Sequence, residues 1–160
     1  MKRNAVQRMK ITRTTSDNKD FIELVKQLDA FLAVIDGDEH VFYAQLNKTN
    51  TLKHVVVAYE DDIPVACGAI REFDPTAMEV KRMYTLPAYR GKGFASKVLA
   101  ELETWAIESG YTKCLLETGW RQPEAIHLYE KSGYKRIPNY GKYAKMENSV
   151  CFEKEIKSDT

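Results

Sequence analysis

Between an alternating run at Glu79–Thr85 and a helix pattern that begins at Phe94 lies a short basic loop, Arg90-Gly91-Lys92-Gly93. The helix pattern carries Phe94, Ala95, Val98, Leu99, Leu102, Trp105 and Ala106 on one stripe and stops at Gly110. Thr112–Thr118, with Cys114, Leu115 and Leu116 at its centre, reads as the next strand. A strand, a helix and a strand in that order form a crossover, which joins parallel strands and lays a helix on their sheet. The loop is also chemically marked. A helix start offers unpaired N–H groups and the positive end of a dipole, and missing side chains at Gly91 and Gly93 let an anion reach the backbone. The segment from Arg90 to Ser96 is therefore expected to hold a phosphate compound.

The rest of the chain supplies the sheet. Residues 6–14 form a first strand, and Ser16 or Asp17 caps a helix. Its stripe is Phe21, Leu24, Val25, Leu28, Phe31, Leu32 and Ile35, ending at Asp36-Gly37. A short helix over Glu39–Leu46 follows. His54–Glu60 and Ile63–Arg71 make a hairpin about Asp61-Asp62, and Phe73-Asp74-Pro75 breaks the run. In the strand over Met78–Thr85, alternation sets Glu79, Lys81, Met83 and Thr85 on one face and Val80, Arg82 and Tyr84 on the other. Polar groups on both faces imply that this strand borders a site. Pro123 opens a helix that stops at Gly133, and Tyr134–Ile137 and Ser149–Glu155 are two last strands around the loop 138–148. The expected fold is α/β. One central, mixed, mostly antiparallel twisted sheet of six to seven strands is flanked by about four helices, in a single domain over 1–160.

Composition excludes several classes. Lys and Arg number 24 against 23 Asp and Glu, so no nucleic-acid partner is expected and any basic site is local. No apolar run is long enough to span a bilayer, and the basic N-terminus lacks the apolar core of a signal peptide. A cytoplasmic protein without a membrane partner is expected. Cys67, Cys114 and Cys151 lie apart inside strand runs and show no metal spacing, so they read as core residues and no metal is expected.

Three readings of the glycine loop compete. A P-loop needs G-x-x-x-x-G-K-[ST], which is absent. A dinucleotide fingerprint needs a third glycine where Ser96 stands, although Glu117 falls near the ribose-binding spacing. The third is R-x-x-G-x-A, met as Arg90, Gly93 and Ala95, followed downstream by Leu128-Tyr129-Glu130-Lys131-Ser132-Gly133-Tyr134. In these two landmarks the chain resembles a GCN5-related N-acetyltransferase (GNAT), strongly over 78–137 and by architecture alone over the first 50 residues. The resemblance implies acetyl-CoA as cosubstrate, bound within 79–137. The backbone of Met83, Tyr84 and Thr85 would pair with the pantetheine arm. N–H groups from Gly91 through Lys92, Gly93, Phe94 and Ala95 to Ser96 would hold the pyrophosphate, with charge from Arg90 and Lys92. Tyr129 would protonate the departing thiolate. Family members often carry Asn where this chain has Gln122, which would contact the cofactor arm. Homodimers are common in the family, and no feature of this sequence demonstrates one.

Acyl transfer to an amine needs a base, because only the neutral amine attacks. Glu79 and Glu117 are the candidates, with Glu79 preferred narrowly; each is equally well read as a partner for Arg82 or Arg121. Trp120, Tyr140 and Tyr143 are loop aromatics near strand ends and are expected to line the acceptor pocket. The expected acceptor is a primary amine of a small molecule or amino acid. A peptide or protein N-terminus or lysine, and a degenerate acyl-CoA sensor, are the alternatives.

Overall fold

The computed structural model describes residues 9–36 and 51–157. Seven strands form one sheet: β1 (Met9–Thr14), β2 (His54–Glu60), β3 (Ile63–Asp74), β4 (Ala77–Thr85), β5 (Lys113–Gly119), β6 (Lys135–Ile137) and β7 (Ser149–Glu155). Their spatial order is β1-β2-β3-β4-β5-β7-β6. Every neighbouring pair is antiparallel except β4 and β5. Helices α1 (Lys19–Asp36), α2 (Phe94–Glu108) and α3 (Pro123–Lys131) flank the sheet, and α2 is the crossover between the parallel strands. The mixed α/β sheet is thus as expected, with three α-helices among the described residues. The short helix expected over 39–46 lies outside them. Among the described residues no helix is long and apolar enough to cross a membrane.

The two faces of the sheet have separate cores. α1 brings Phe21, Leu24 and Leu28 onto Val55, Val57, Cys67, Ala69 and Tyr84. On the other face Phe94, Val98, Leu99, Leu102 and Ala106 of α2 meet Val56, Ala58, Ile70 and Val80, and Tyr129 of α3 joins Leu116 and Phe152 there. Consecutive strand residues fall into opposite cores because side chains alternate across a pleat. All three cysteines are buried, and burial pushes the Cys67 thiol up to about 12.

Local chemistry explains most boundaries. Asp61 and Asp62 take φ 52 and φ 68, so the β2–β3 hairpin turns on two left-handed residues, a twist that suits its strands. Gly110 and Gly133 end α2 and α3 at φ 94. Two expectations are corrected. The α1 cap is Asn18, whose Oδ1 accepts from Phe21 N at 3.0 Å, whereas Ser16 Oγ accepts from Leu52 N at 2.9 Å. The β3 strand does not break at Phe73 but stays paired to Asp74↔Ala77, and Asp74 Oδ1 receives Thr76 N at 2.8 Å to close the turn.

The alternation expected along β4 also fails, at one residue. Cys67 pairs with Tyr84 and Ala69 with Lys81, so Gly68 faces both Arg82 and Met83. This is a β-bulge, with Arg82 at φ 59. The extra residue moves every later side chain by one place. Met83 accordingly packs with the α2 core and Tyr84 with the α1 core, the reverse of strict alternation from Glu79. Gly68 makes room for the bulge. A Cβ there would sit 2.4 Å from Met83 Sδ and 3.0 Å from both Leu102 Cδ1 and Val98 Cγ1. Overpacking of this kind costs about 1–3 kcal/mol. Gly68→Ala is therefore expected to lower the melting temperature by about 3–10 °C, checked by calorimetry.

Candidate active site

β4 and β5 stay together only over Ala77↔Lys113, Met78↔Cys114 and Glu79↔Leu115. Beyond that register the strands part, although β4 runs to Thr85 and β5 to Gly119. The parting leaves one edge of β4 open, and two cavities meet at it. The larger, about 640 Å³, lies between the end of β4, the start of α2 and α3. The smaller, about 110 Å³, lies between α1, β4, β5 and the segment after β5. They share Leu28, Met83, Gln122, Ala125 and Tyr129.

The larger cavity gathers Met83, Tyr84, Thr85, Arg90, Gly91, Gly93, Phe94, Ala95, Ser96, Gln122 and Tyr129. Of the residues expected around a cofactor, Lys92 alone is absent from its lining; its Nζ stands 5.3 Å over the Tyr89 ring. Gly91 and Gly93 have φ 78 and φ 89, and a Cβ at either would meet nothing within 4 Å. The protein's own packing therefore does not demand glycine; the left-handed backbone and free approach to it do. Gly93 precedes α2 without any side-chain cap, and Lys97 N to Gly93 O at 3.1 Å is the first bond of the helix. The N–H groups ahead of Lys97 have no partner inside the helix and sit at the positive end of its dipole, a place suited to an anion. Arg90 is folded back: Nε donates to Thr85 O at 3.0 Å, and its guanidinium lies 5.2 Å over Phe31 and 5.6 Å over Tyr84. It braces the loop against the strand.

Tyr129 stands where the cavities join. It is 6% exposed, with its ring 5.9 Å from that of Tyr134 and 6.1 Å from that of Phe152. Burial first, and the nearby charge of Glu117 second, push its phenol above the usual tyrosine range. It therefore stays protonated at neutral pH. Glu117 lines the smaller cavity and accepts a hydrogen bond from Ser149 Oγ at 2.7 Å. Trp120, 52% exposed, lines the same cavity under the Arg121 guanidinium at 5.3 Å.

Glu79, Tyr140 and Tyr143 line neither cavity. Glu79 is 4% exposed and engaged at both oxygens: Oε1 accepts from Arg71 Nε at 3.3 Å and Oε2 from Tyr140 Oη at 2.8 Å. Tyr143 Oη accepts from Lys81 Nζ at 3.2 Å, and burial pulls the Lys81 ammonium below its usual range. The two tyrosines stack edge to face at 5.8 Å and cover this cluster with the 138–148 loop. The sequence reading missed Leu28 and Leu32, which share the α1 stripe taken for core, and Arg82, Arg121 and Asn148. Polar residues on both faces of β4 were the signal for Arg82; Asn148 carried none.

Comparison with known proteins identifies the family and the fold. The profile of the acetyltransferase (GNAT) family matches residues 8–134. The chain is 30% identical over 138 residues to the IAA acetyltransferase of Azospirillum brasilense, spanning 84% of this chain and 90% of that one. A Klebsiella pneumoniae structure assigned as an acyl-CoA N-acyltransferase superposes with a TM-score of 0.79 at 29% identity, over 96% of this chain and 100% of that one. A GNAT family acetyltransferase from Elizabethkingia anophelis, solved with acetyl-CoA bound, shares the fold at a TM-score of 0.65 and 14% identity, over 93% of this chain and 99% of that one.

Proposed function

The chain belongs to the acetyltransferase (GNAT) family, whose enzymes use acetyl-CoA as cosubstrate, and from that premise we propose that it acetylates a primary amine of a small molecule or amino acid by direct attack in a ternary complex. The observation that carries this reading is the junction of the two cavities at Met83 and Tyr129. A thioester entering along the open edge of β4 and an amine in the smaller cavity would meet there.

The roles follow from the chemistry of each group. The strand edge at Met83–Thr85 pairs with the pantetheine amides as an added strand would. The N–H groups of the α2 start hold the pyrophosphate. A backbone N–H of β4 donates to the thioester carbonyl oxygen as negative charge gathers on it. The N–C bond forms, the C–S bond breaks, the amine proton passes to Glu117 directly or through water, and Tyr129 supplies a proton to the thiolate. We assign the base to Glu117 rather than Glu79. Glu117 shares a cavity with Tyr129, while both oxygens of Glu79 are occupied in the covered cluster.

The test supplies acetyl-CoA with a panel of amines, amino acids and peptides and follows CoA release. Release that depends on an acceptor is expected. Acetyl-CoA at about 100 times its Kd is expected to raise the melting temperature by about 5–10 °C, and NAD is not. Thermal stabilisation by acetyl-CoA without turnover on any acceptor would replace the enzyme with an acyl-CoA sensor.

A further inference from the structure

The smaller cavity presents three cationic side chains, Lys81, Arg82 and Arg121, against one carboxylate, Glu117. Lys81 is bonded to Tyr143, and Arg121 donates from Nη1 to Ile35 O at 3.1 Å while lying over Trp120. Arg82 differs from both. Its side chain is 7% exposed, and Nη1 donates to Asp29 Oδ1 at 2.8 Å. Its Nε is buried with no hydrogen-bond partner among the described residues. A buried N–H without an acceptor is costly, and such groups in native proteins call for an explanation. The residue is also held at φ 59 on the bulge, a backbone region that a non-glycine residue occupies at a cost.

Holding α1 in place accounts for one edge of the guanidinium only. Asp29, half exposed on α1, takes Nη1. The planar fork has further donors, and the Nε edge suits a second carboxylate in two-point contact. We propose that the acceptor amine carries a carboxylate of its own and that Arg82 binds it. This rests on the reading of the smaller cavity as the acceptor site. A carboxylate there, met by a small turn of the Arg82 side chain, gives Nε the acceptor it lacks. It also directs the amine toward Glu117 and Tyr129 on the same lining. The carboxylate takes no part in bond making; it orients.

The experiment pairs each common L-amino acid, and β-alanine, with its own primary amide. kcat/KM is measured at saturating acetyl-CoA and referred to the neutral amine, because amide formation alters the amine pKa. The wild-type protein is expected to favour the carboxylate member of at least one pair by about tenfold or more, the scale of a hydrogen bond between charged groups. Arg82→Gln is expected to bring that ratio close to one, chiefly through the KM of the carboxylate amine. Equal use of acid and amide by the wild type overturns the proposal and leaves acetyl transfer standing. An equal loss for both members in Arg82→Gln gives Arg82 a purely structural role and also overturns it. Absence of CoA release with every amine overturns the enzymatic reading, and this one with it. The wild-type ratio needs no variant, so a failure of Arg82→Gln to fold does not affect it.

Discussion

Glu117→Gln is expected to lower kcat/KM for the acceptor by about 10²- to 10⁴-fold near pH 7, the range that general base catalysis supplies. Glutamine keeps the shape of glutamate and an oxygen for the Ser149 hydroxyl, so the site is expected to keep its form. It cannot take a proton from the bound amine. Most amines are protonated at pH 7, and only the neutral form attacks the thioester. The loss should therefore shrink as pH rises toward the acceptor's own pKa, where solvent does the same work. Glu79→Gln has a different expected signature. It removes the negative partner of Arg71 and an acceptor of Tyr140 inside a covered cluster. A buried hydrogen bond to a charged group is worth about 1.5–3 kcal/mol, so the melting temperature should fall while kcat/KM stays within about tenfold. Parallel pH–rate profiles and melting curves for the two variants decide the matter. The reverse pattern would return the base to Glu79.

Tyr129→Phe is expected to cut kcat by about 10- to 100-fold with acetyl-CoA affinity changed by less than about threefold. The effect falls below that of Glu117 because a thiolate of pKa about 8.5 is already a good leaving group. The sign of the pH dependence follows from the direction of the shift. Burial and the Glu117 charge both disfavour the phenolate, so the folded-state pKa lies above the usual value. The proton donor is then retained through neutral pH and past about pH 10, where an exposed tyrosine begins to ionise. Wild-type kcat should accordingly show no alkaline decline from this group below about pH 10. The same shift makes a stability statement. A folded-state pKa raised above the unfolded value favours the protonated fold, and that contribution is lost as pH rises beyond about 10. Tyr134, Tyr140 and Tyr143 are shifted in the same direction, each chiefly by burial, so alkaline unfolding should be cooperative with their ionisation. Spectrophotometric titration of the phenols beside circular dichroism tests this.

Much of the fold was legible because it is written in short-range terms. The α1 and α2 stripes, the Asp61-Asp62 hairpin, Pro123 at the start of α3 and the glycines that end the helices depend on residues within one or two turns of each other. The gathering of Met83–Thr85 with the loop from Arg90 to Ser96 was implied by the resemblance to the GNAT family, and the continuity of the chain accounts for it. Strand, loop and helix are contiguous, and a crossover has one hand. The Asn18 cap was missed because Ser16, Asp17 and Asn18 all have capping side chains, and contact with Leu52, far along the chain, draws Ser16 away.

By itself the sequence determined the glycine loop on a helix, the parallel crossover behind it and the place of Tyr129 one helix further on. Each is a consequence of backbone geometry that glycine, proline and side-chain period dictate locally. The tertiary structure alone decided which carboxylate lines a cavity with Tyr129. One extra residue at Arg82 reverses the side-chain order along the rest of β4, and the β4–β5 pairing ends at Glu79. Those two events turn Met83 toward the α2 core and open the strand edge beside Glu117 and Arg82, while Glu79, ahead of the bulge, is held by Arg71 and Tyr140. A bulge against Gly68 and a parting of strands arise from contacts between distant segments, and side-chain alternation in a single strand carries no trace of them.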